Sequence, residues 1–356
     1  SARAVLMSIA ALHAFVLLAP PLISTDIFSY QAYARMGSMY GANPYLTGPH
    51  AIALDPIFPY IGAKWSYIPS VYGPIFTIFS YVLAPLSIAA SVGIYKSIAA
   101  AASLGLVAIV WNTARVRGAN PVRAAALVGL NPLLVLYGVG GGHNDLLMLA
   151  AAMGAIYAIL ASRERLGGAL TMFAVGIKLT AGLLLPFAIA AGGPQRGRDR
   201  RRDLILGAGT VFALLASLTV ALYGTGGLQL LASVERSQSK GDWHSIPGFV
   251  STRLGLPTVG HILGFVLAAA FVGVSAWLVR RVWRGRSDWI DAAGWATIAM
   301  LVAASSLLPW YVAWALPLAA VGTDRRLFRA ALIATGVVLA VQMLGYIPHG
   351  GSSPLG

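Results

Sequence analysis

Long apolar stretches recur along the whole chain, and they constrain its fold more than any other feature of the sequence. Charged residues make up only 10% of the 356 residues and the mean hydropathy is +0.76, whereas soluble domains carry roughly 25% charged residues. An apolar segment of about twenty residues can cross the hydrocarbon core as a helix, which bonds its own backbone polar groups. The sequence therefore predicts an all-α polytopic membrane protein, with residues 1–356 forming a single multi-pass domain.

Basic residues cluster between the apolar stretches, and these clusters predict the orientation of the chain. Arginine and lysine accumulate in the cytoplasmic loops of membrane proteins, so we place the clusters and the N-terminus in the cytoplasm. The net charge of +14 is then a consequence of topology, and nucleic-acid binding is not implied. The clusters are Arg115/Arg117/Arg123, Arg163/Arg165, Arg196 to Arg202, Arg280 to Arg286, and Arg325/Arg326/Arg329.

This placement divides the chain into eleven predicted membrane helices and two long extracytoplasmic loops, 24–94 and 224–257. The first apolar stretch, Ala4 to Ile23, lacks a small-x-small cleavage site, so we expect a retained helix rather than a signal peptide. The predicted helices span about 4–23, 95–113, 122–138, 145–162, 167–177, 180–191, 203–223, 258–281, 290–308, 311–321 and 327–346.

Two segments do not fit simple crossings. Residues 167–191 must leave and re-enter the cytoplasmic side, because both flanks are rich in arginine. At 1.5 Å per residue each half reaches only about 16 Å, so we expect two half-helices joined by a turn at Lys178. Between Tyr72 and Arg115, one crossing and a short outer-leaflet helix at about 74–88 satisfy the charges. Broken helices are tolerated where they line protein or a wet cavity.

Scarce polar groups on the outer side of this topology indicate a functional site. Asp26 stands at the outer end of the first apolar stretch, where a carboxylate is costly to desolvate. An acid beside several cations suits transfer from a lipid phosphate, since a base takes the acceptor's proton while cations hold the departing phosphate. The other candidates are Asp55, the 140–145 turn with His143, Asn144 and Asp145, Lys178, the triplet Asp242-Trp243-His244, and Trp310 with Tyr311.

Structural roles compete with these assignments. Asp26 could cap a helix, and the glycine run before His143 could end one helix before Asn144 caps the next. Lys178 could reach the membrane interface as an ordinary anchor.

The loop residues have alternatives of the same kind. Asp55 precedes a proline and could belong to a turn. Trp310 and Tyr311 could be aromatic belt residues at the membrane interface, and the 242–244 triplet could be an ordinary exposed loop.

Motifs of other chemistries are absent from the sequence. It contains no P-loop, no HExxH and no Asp-x-Asp pair. The chain has no cysteine, which excludes disulfides and zinc-thiolate sites. The residues therefore provide no positive evidence for a metal site.

Several motifs follow one another in the order shown by a known family. These motifs are Asp26-Ile27-Phe28-Ser29-Tyr30, Tyr40-Gly41-Ala42-Asn43-Pro44-Tyr45, Asp55-Pro56, Trp65, Tyr72-Gly73-Pro74, Asn131-Pro132, Gly142-His143-Asn144-Asp145, Lys178-Leu179-Thr180, Leu185-Pro186-Phe187 and Leu308-Pro309-Trp310-Tyr311. With them, over about residues 24–320, the chain resembles the GT-C polyprenol-phosphate-mannose-dependent mannosyltransferases, above all the α-1,6-mannosyltransferases of actinobacterial lipomannan and lipoarabinomannan assembly.

The resemblance implies a GT-C fold in the cell membrane and a sugar transfer on its extracytoplasmic face. The implied donor is polyprenyl-phosphate mannose, and the implied acceptor is a mannan, another polysaccharide or a glycolipid. Transfer would invert the β-linked donor to an α-linked product, with an α-1,6 linkage favoured. Many GT-C enzymes carry an acidic pair in the first loop, whereas here Ser24-Thr25-Asp26 supplies a single acid, which favours transfer without a metal or other cofactor.

The resemblance also assigns roles to individual residues. Asp26 would be the general base, and the prenyl chain would lie along the outer-leaflet helix and the half-helices. Lys178 and His143, with His244 or Arg253, would hold the donor phosphate. The sugar and acceptor contacts would come from Asp55, Tyr72, Asn144, Asp145, Trp310 and Tyr311.

Three other interpretations stay open at the level of sequence. A GT-C enzyme could transfer arabinose or glucose from another polyprenyl phosphate. A flippase or transporter of lipid-linked sugars would be expected to show an inverted repeat and polar residues on both sides of the bilayer midplane, and neither pattern is visible. A non-catalytic scaffold would not need a base and cations gathered on one side.

Overall fold

The computed structural model describes residues 1–21, 23–195, 198–239 and 243–344, and helices form nearly all of its regular structure. Within these residues the only strands, β1 (Pro194–Gln195) and β2 (Arg198–Asp199), pair as an antiparallel ribbon. The prediction of an all-α protein is therefore confirmed. The α-helices are α1 (Ala2–Leu18), α2 (Asp26–Ser38), α3 (Pro74–Tyr81), α4 (Ile88–Val116), α5 (Pro121–Gly129), α6 (Asp145–Leu160), α7 (Glu164–Ile177), α8 (Leu184–Ala191), α9 (Arg200–Tyr223), α10 (Leu230–Ser239), α11 (Ile246–Thr252), α12 (Pro257–Trp283), α13 (Trp289–Ala303), α14 (Leu316–Val321) and α15 (Arg325–Leu344).

Each of the eleven predicted membrane segments coincides with helical structure, but several of these helices are short or broken. Among the described residues, the four helical stretches 88–116, 200–238, 257–283 and 325–343 are long and apolar enough to cross a membrane. A fifth candidate consists of α5 and the π-helical segment Leu133–Val139, which are bent by 50°. The structure therefore supports a membrane protein, whereas eleven crossings, the cytoplasmic N-terminus and the two outer loops stay predictions.

The predicted half-helices are present. α7 ends at Ile177, and Lys178 follows in an extended conformation with φ −153° and ψ 127°. The chain then continues as a 3₁₀ segment, Leu179–Leu183, before α8 begins. The expected turn at Lys178 is therefore confirmed.

The first loop is more helical than its polar, turn-rich sequence predicts. α2 occupies residues 26–38, is buried on all sides between residues 29 and 36, and packs against α3 and α4. The outer-leaflet segment is shorter than expected, because α3 ends at Tyr81. α4 begins at Ile88 rather than near residue 95, with Ser87 as its N-cap. Short 3₁₀ segments at Pro49–Ile52, Phe58–Tyr60 and Ala63–Trp65 complete the loop.

The basic clusters lie together at one end of the helices. α6 runs from Asp145 to Leu160, a distance of about 24 Å, and its far end leads into Arg163. The clusters contact one another across α4, α7, α9 and α13. The contacts are Arg117–Asp288 at 3.1 Å, Arg165–Asp203 at 2.8 Å and Arg200–Glu164 at 2.6 Å. Asp145 and Lys178 therefore lie at the opposite end from the arginines.

Candidate active site

Asp26 is the first residue of α2. The N-cap position is Thr25, whose side chain makes no capping bond, and the backbone N–H of Asp26 donates to Ser24 Oγ at 3.2 Å. The carboxylate is 18% exposed and lies 3.5 Å from Nδ1 of His143. Tyr72 lines a small pocket together with Asp26. Asp26 thus faces polar side chains from two other segments.

His143 lies behind Asp26 in the turn between the π-helical segment and α6. Gly142 has φ +64°, a left-handed conformation that favours glycine, and it reverses the chain just before His143. The imidazole is completely buried and stacks on Trp310 with ring centroids 3.9 Å apart. Neither ring nitrogen has a hydrogen-bond partner among the described residues. Asn144 occupies the N-cap of α6, but its side chain forms no capping bond there.

Lys178 is held in a cage of one acid and two aromatic rings. Its Nζ donates to Asp145 Oδ1 at 2.7 Å, and Trp314 Nε1 donates to the same oxygen at 2.6 Å. Nζ also lies 5.0 and 5.1 Å from the ring centroids of Tyr311 and Trp314, which is within the range of cation–π attraction. The cation is therefore buried, paired and fixed in position, which does not fit a flexible interfacial anchor.

A close backbone contact fixes the first loop against the break in α7. The N–H of Gly73 donates to the carbonyl of Ile177 at 2.9 Å. A Cβ atom at Gly73 would lie 2.2 Å from the carbonyl oxygen of Gly176, so no larger residue fits without displacing the backbone. This contact brings Tyr72, which lines the same small pocket as Asp26, next to Lys178.

Asp26 lines an outer cavity of about 580 Å³. Its walls carry the aromatic rings of Phe28, Trp65 and Trp310, together with His244. Aromatic faces with polar groups at their edges suit a sugar. Trp310 is only 5% exposed and packs inside the protein, so it is not an interfacial belt residue.

A second space begins on the other side of the Asp26 carboxylate. A pocket of about 30 Å³ joins Asp26 and Tyr72 to Lys178 and Tyr311. Lys178 and Tyr311 also line an apolar groove of about 360 Å³. The groove continues along α10, the middle of α12 and the end of α13, with Val234, Ala268, Phe271, Met300, Leu301 and Ala303 in its walls.

The half-helix contributes Leu179 and Thr180 to this groove. The outer-leaflet helix, which was expected to line the prenyl groove, does not contribute; α3 packs against α2 and α7 instead. The groove is formed mainly by C-terminal helices, which the sequence did not connect with the site.

Asp55 lies apart from Asp26. Its carboxylate accepts hydrogen bonds from Arg35 at 2.9 Å, from Tyr40 at 2.8 Å and from the N–H of Ile57 at 2.8 Å. It lines neither the outer cavity nor the small pocket. These contacts give Asp55 a structural role in the first loop.

The second loop contributes one of its two predicted cations. His244 lines the outer cavity together with Asp26. Arg253 is exposed, with its guanidinium 4.7 Å from the ring of Trp243, and does not line the cavities beside Asp26. Asp242 lies outside the described residues.

Lys96 is a buried cation that sequence reasoning passed over. It is 2% exposed, and its Nζ donates to the carbonyls of Val16, Ala19 and Pro20 at the end of α1. These carbonyls begin the short segment that leads to Asp26. A lysine within a long apolar helix was the available signal, because such a group needs buried partners.

The charges around Asp26 favour its ionised form. Burial raises the pKa of Asp26, but the contact with His143 and the charge of Lys178 outweigh burial, so the pKa lies below its usual range. Among the described residues, no three His, Cys, Asp or Glu side chains form a group suited to a metal ion. Transfer without a metal stays a prediction.

Residues 1–192 match the family described as "Alpha-(1->6)-mannopyranosyltransferase, N-terminal domain", and residues 245–353 match "MptB C-terminal domain". No solved structure shows significant similarity to the chain.

Curated relatives with the same description come from actinobacteria. Alpha-(1->6)-mannopyranosyltransferase A of Mycobacterium tuberculosis is 25% identical over 85% of this chain and 63% of its own length. A probable alpha-(1->6)-mannopyranosyltransferase of Mycolicibacterium smegmatis is 27% identical over 92% and 66%. Alpha-(1->6)-mannopyranosyltransferase B of Corynebacterium glutamicum is 26% identical over 96% and 62%. The chain thus spans about two thirds or less of the length of these relatives.

Proposed function

The chain belongs to the alpha-(1->6)-mannopyranosyltransferase family, and we propose that it transfers mannose from polyprenyl-phosphate mannose to a mannan or glycolipid, with inversion at the anomeric carbon. The proposed site lies on the extracytoplasmic face of the cell membrane, at the end of the helices opposite the arginine clusters.

One observation carries this proposal: two cavities of opposite character meet at a single ionised carboxylate. The outer cavity is lined by aromatic rings and His244, whereas the groove beyond Lys178 is apolar. Asp26 lines both the outer cavity and the small pocket that leads to the groove. A transferase requires this order, because the base must reach the acceptor hydroxyl while the leaving group lies on the far side.

The groove accounts for a lipid-linked donor. An apolar chain gains about 0.8 kcal/mol for each CH₂ group that it buries, and most residues in the walls of the groove are aliphatic or aromatic. Lys178 lies where the groove meets the small pocket, so its ammonium is placed to hold a phosphate at the head of the chain. Tyr311, which lines both spaces, would lie beside the bond that breaks.

The transfer step follows from this order. The acceptor hydroxyl enters from the outer cavity and gives its proton to Asp26 as its oxygen attacks C1 of the donor sugar. The bond between C1 and the phosphate oxygen breaks, its electron pair leaves with the phosphate, and Lys178 stabilises the charge that develops there. Attack from the side opposite the phosphate inverts the configuration at C1.

An assay with purified protein, radiolabelled polyprenyl-phosphate mannose and a short α-mannoside acceptor tests the proposal. We expect transfer by the wild-type chain and at least about a 10³-fold lower kcat for Asp26→Asn, because the amide cannot accept the proton. Asp203→Asn is the matched control, since the same change at the arginine-rich end touches no cavity beside Asp26. Wild-type protein that is inactive with several acceptors, or an active Asp26→Asn variant, would contradict the proposal.

Two further measurements test the independence from metal and the identity of the transferred sugar. Activity that is lost with EDTA and restored by manganese would overturn transfer without a metal. A higher rate with polyprenyl-phosphate arabinose or glucose would change the sugar.

The proposed face can be tested because the chain has no cysteine. Leu54→Cys, at a fully exposed position in the first loop, should react with an impermeant thiol reagent from outside the cell. Arg165→Cys, at an exposed position in the arginine-rich end, should not react. The reverse pattern would place the site on the cytoplasmic face.

A further inference from the structure

The polar atoms of His143 are the least satisfied in the site. The ring is fully buried, and neither nitrogen has a hydrogen-bond partner in the described part of the chain. A buried polar atom without a partner costs about 1–3 kcal/mol, and a phenylalanine of similar shape would avoid that cost. The nitrogens must therefore contribute something other than stability.

The surroundings of His143 exclude a direct contact with the donor in this structure. Trp310 covers one face of the imidazole at 3.9 Å, and it is Trp310 that lines the outer cavity. His143 lines none of the outer cavity, the small pocket and the apolar groove. Its nearest charged neighbour is the carboxylate of Asp26, with Nδ1 3.5 Å from Oδ2.

We infer that His143 is a positioning residue that acts through Asp26: it holds the carboxylate from behind by a hydrogen bond from Nδ1 and does not touch the substrate. The inference rests on the proposed role of Asp26 as the base. It replaces the expectation that His143 holds the donor phosphate.

The length of the contact fits this role. A distance of 3.5 Å exceeds a well-formed N–H···O bond, but catalytic hydrogen bonds are often long without substrate and shorten in the reactive complex. Nδ1 has no competing partner, so it is available to Asp26 alone. A hydrogen bond from this side restricts the rotation of the Asp26 side chain and fixes the direction of its free lone pair.

The backbone around His143 preserves this arrangement. A Cβ atom at Gly141 would lie 2.8 Å from the imidazole and 2.5 Å from the carbonyl of Tyr137. The ring therefore lies directly against the backbone on one side and against Trp310 on the other. Packing holds the ring in place without a hydrogen bond to either nitrogen, so Nδ1 is available to donate to Asp26.

Two substitutions separate the ring from its nitrogens. His143→Phe keeps a ring that can stack on Trp310 but has no donor, whereas His143→Asn keeps a donor near the position of Nδ1 without the ring. The measurements are kcat, KM for polyprenyl-phosphate mannose, and thermal unfolding in detergent.

We expect His143→Phe to unfold at or above the wild-type temperature, because it removes two unsatisfied buried nitrogens. Its kcat should fall about 10²-fold, the effect of misplacing a catalytic group by about 1 Å, with KM for the donor changed less than about twofold. His143→Asn should recover at least about tenfold of the lost kcat. His143→Ala provides a second comparison, in which His143→Asn should again be at least about tenfold faster.

Some results would overturn the inference. Wild-type kcat in His143→Phe would show that the nitrogens are dispensable, and equal kcat in His143→Asn and His143→Ala would show that the donor does not matter. A raised KM with unchanged kcat would return His143 to the donor phosphate. Failure of the proposed function is distinct from these results, because the wild-type protein would then transfer no mannose at all.

Discussion

Both ends of the helices carry acids beside cations, but the polar groups at the two ends differ in how completely they are hydrogen-bonded or paired. At the arginine-rich end, Glu164 and Asp203 each pair with an arginine, and Arg165 is 71% exposed. At the opposite end, Asp145 Oδ2 and both nitrogens of His143 are buried with no hydrogen-bond partner among the described residues. The Asn144 amide nitrogen and Trp310 Nε1 are in the same state.

We associate the arginine-rich end with the predicted orientation of the chain in the membrane, and the opposite end with the candidate site. The exposed pair of Arg165 and Asp203 contributes about 0–1 kcal/mol, and the buried Glu164 has its partner in Arg200, so these acids need no substrate to satisfy them. Each unsatisfied buried group costs about 1–3 kcal/mol, and several of them together indicate a site that a substrate completes. Four substitutions test the comparison, taken from the largest expected effect to the smallest.

Lys178→Met should have the largest effect, because it leaves the Asp145 carboxylate buried without its cation. Breaking a buried ion pair costs about 3–5 kcal/mol, so the free energy of unfolding should fall by that amount. Transfer should fall about 10²–10³-fold through loss of the charge beside the phosphate. Thermal unfolding and the transfer assay measure the two losses.

The double variant Lys178→Met/Asp145→Asn is the control. Removing the orphaned charge should restore at least half of the lost stability but none of the activity. Normal transfer by the double variant would show that Lys178 has only a structural role.

Gly73→Ala should come next. The added Cβ would meet the Gly176 carbonyl oxygen at 2.2 Å, and relief of this overlap requires the first loop to move away from Lys178. Overpacking of this kind costs about 1–3 kcal/mol, and the displaced loop should lower kcat about 10²-fold.

Gly93→Ala is the matched control for that change, since a Cβ there meets open space on α4. It should stabilise the helix by about 0.5–1 kcal/mol. If Gly73→Ala were as active and as stable as Gly93→Ala, the backbone contact would not position the site.

Lys96→Met should have a smaller effect on transfer. It removes the donor to the carbonyls that end α1, at a cost of about 1–3 kcal/mol. Because this segment leads to Asp26, kcat should fall while KM for the donor is unchanged. Lys96→Arg should recover part of the loss, since the guanidinium retains donors. Equal kinetics in Lys96→Met and the wild type would remove Lys96 from the support of Asp26.

Arg165→Met should have the smallest effect. It breaks the pair with Asp203 at the exposed end, so stability should change by no more than about 1 kcal/mol and transfer should not change. A loss of transfer comparable with that of Lys178→Met would abolish the distinction between the two ends.

Sequence reasoning singled out residues of the candidate site better than it predicted their contacts. Asp26 and Lys178 could be singled out because a charge in an apolar chain is costly wherever the fold places it. The half-helix break at Lys178 could be predicted because arginine clusters on both flanks leave too few residues for two crossings. Asp145 was assigned to sugar binding, whereas the structure pairs it with Lys178, and neither residue type nor spacing indicates that contact.

The sequence by itself determined an all-α membrane fold, the separation of the arginine clusters from Asp26 and Lys178, and the place where a helix must break. These properties follow from hydropathy, charge and length, which are sums over neighbouring residues. Only the tertiary structure decided that His143 lies behind Asp26, that Asp55 is bound by Arg35, and that C-terminal helices line the groove beyond Lys178. Such contacts join residues far apart in the chain, and they depend on packing, which local patterns do not record.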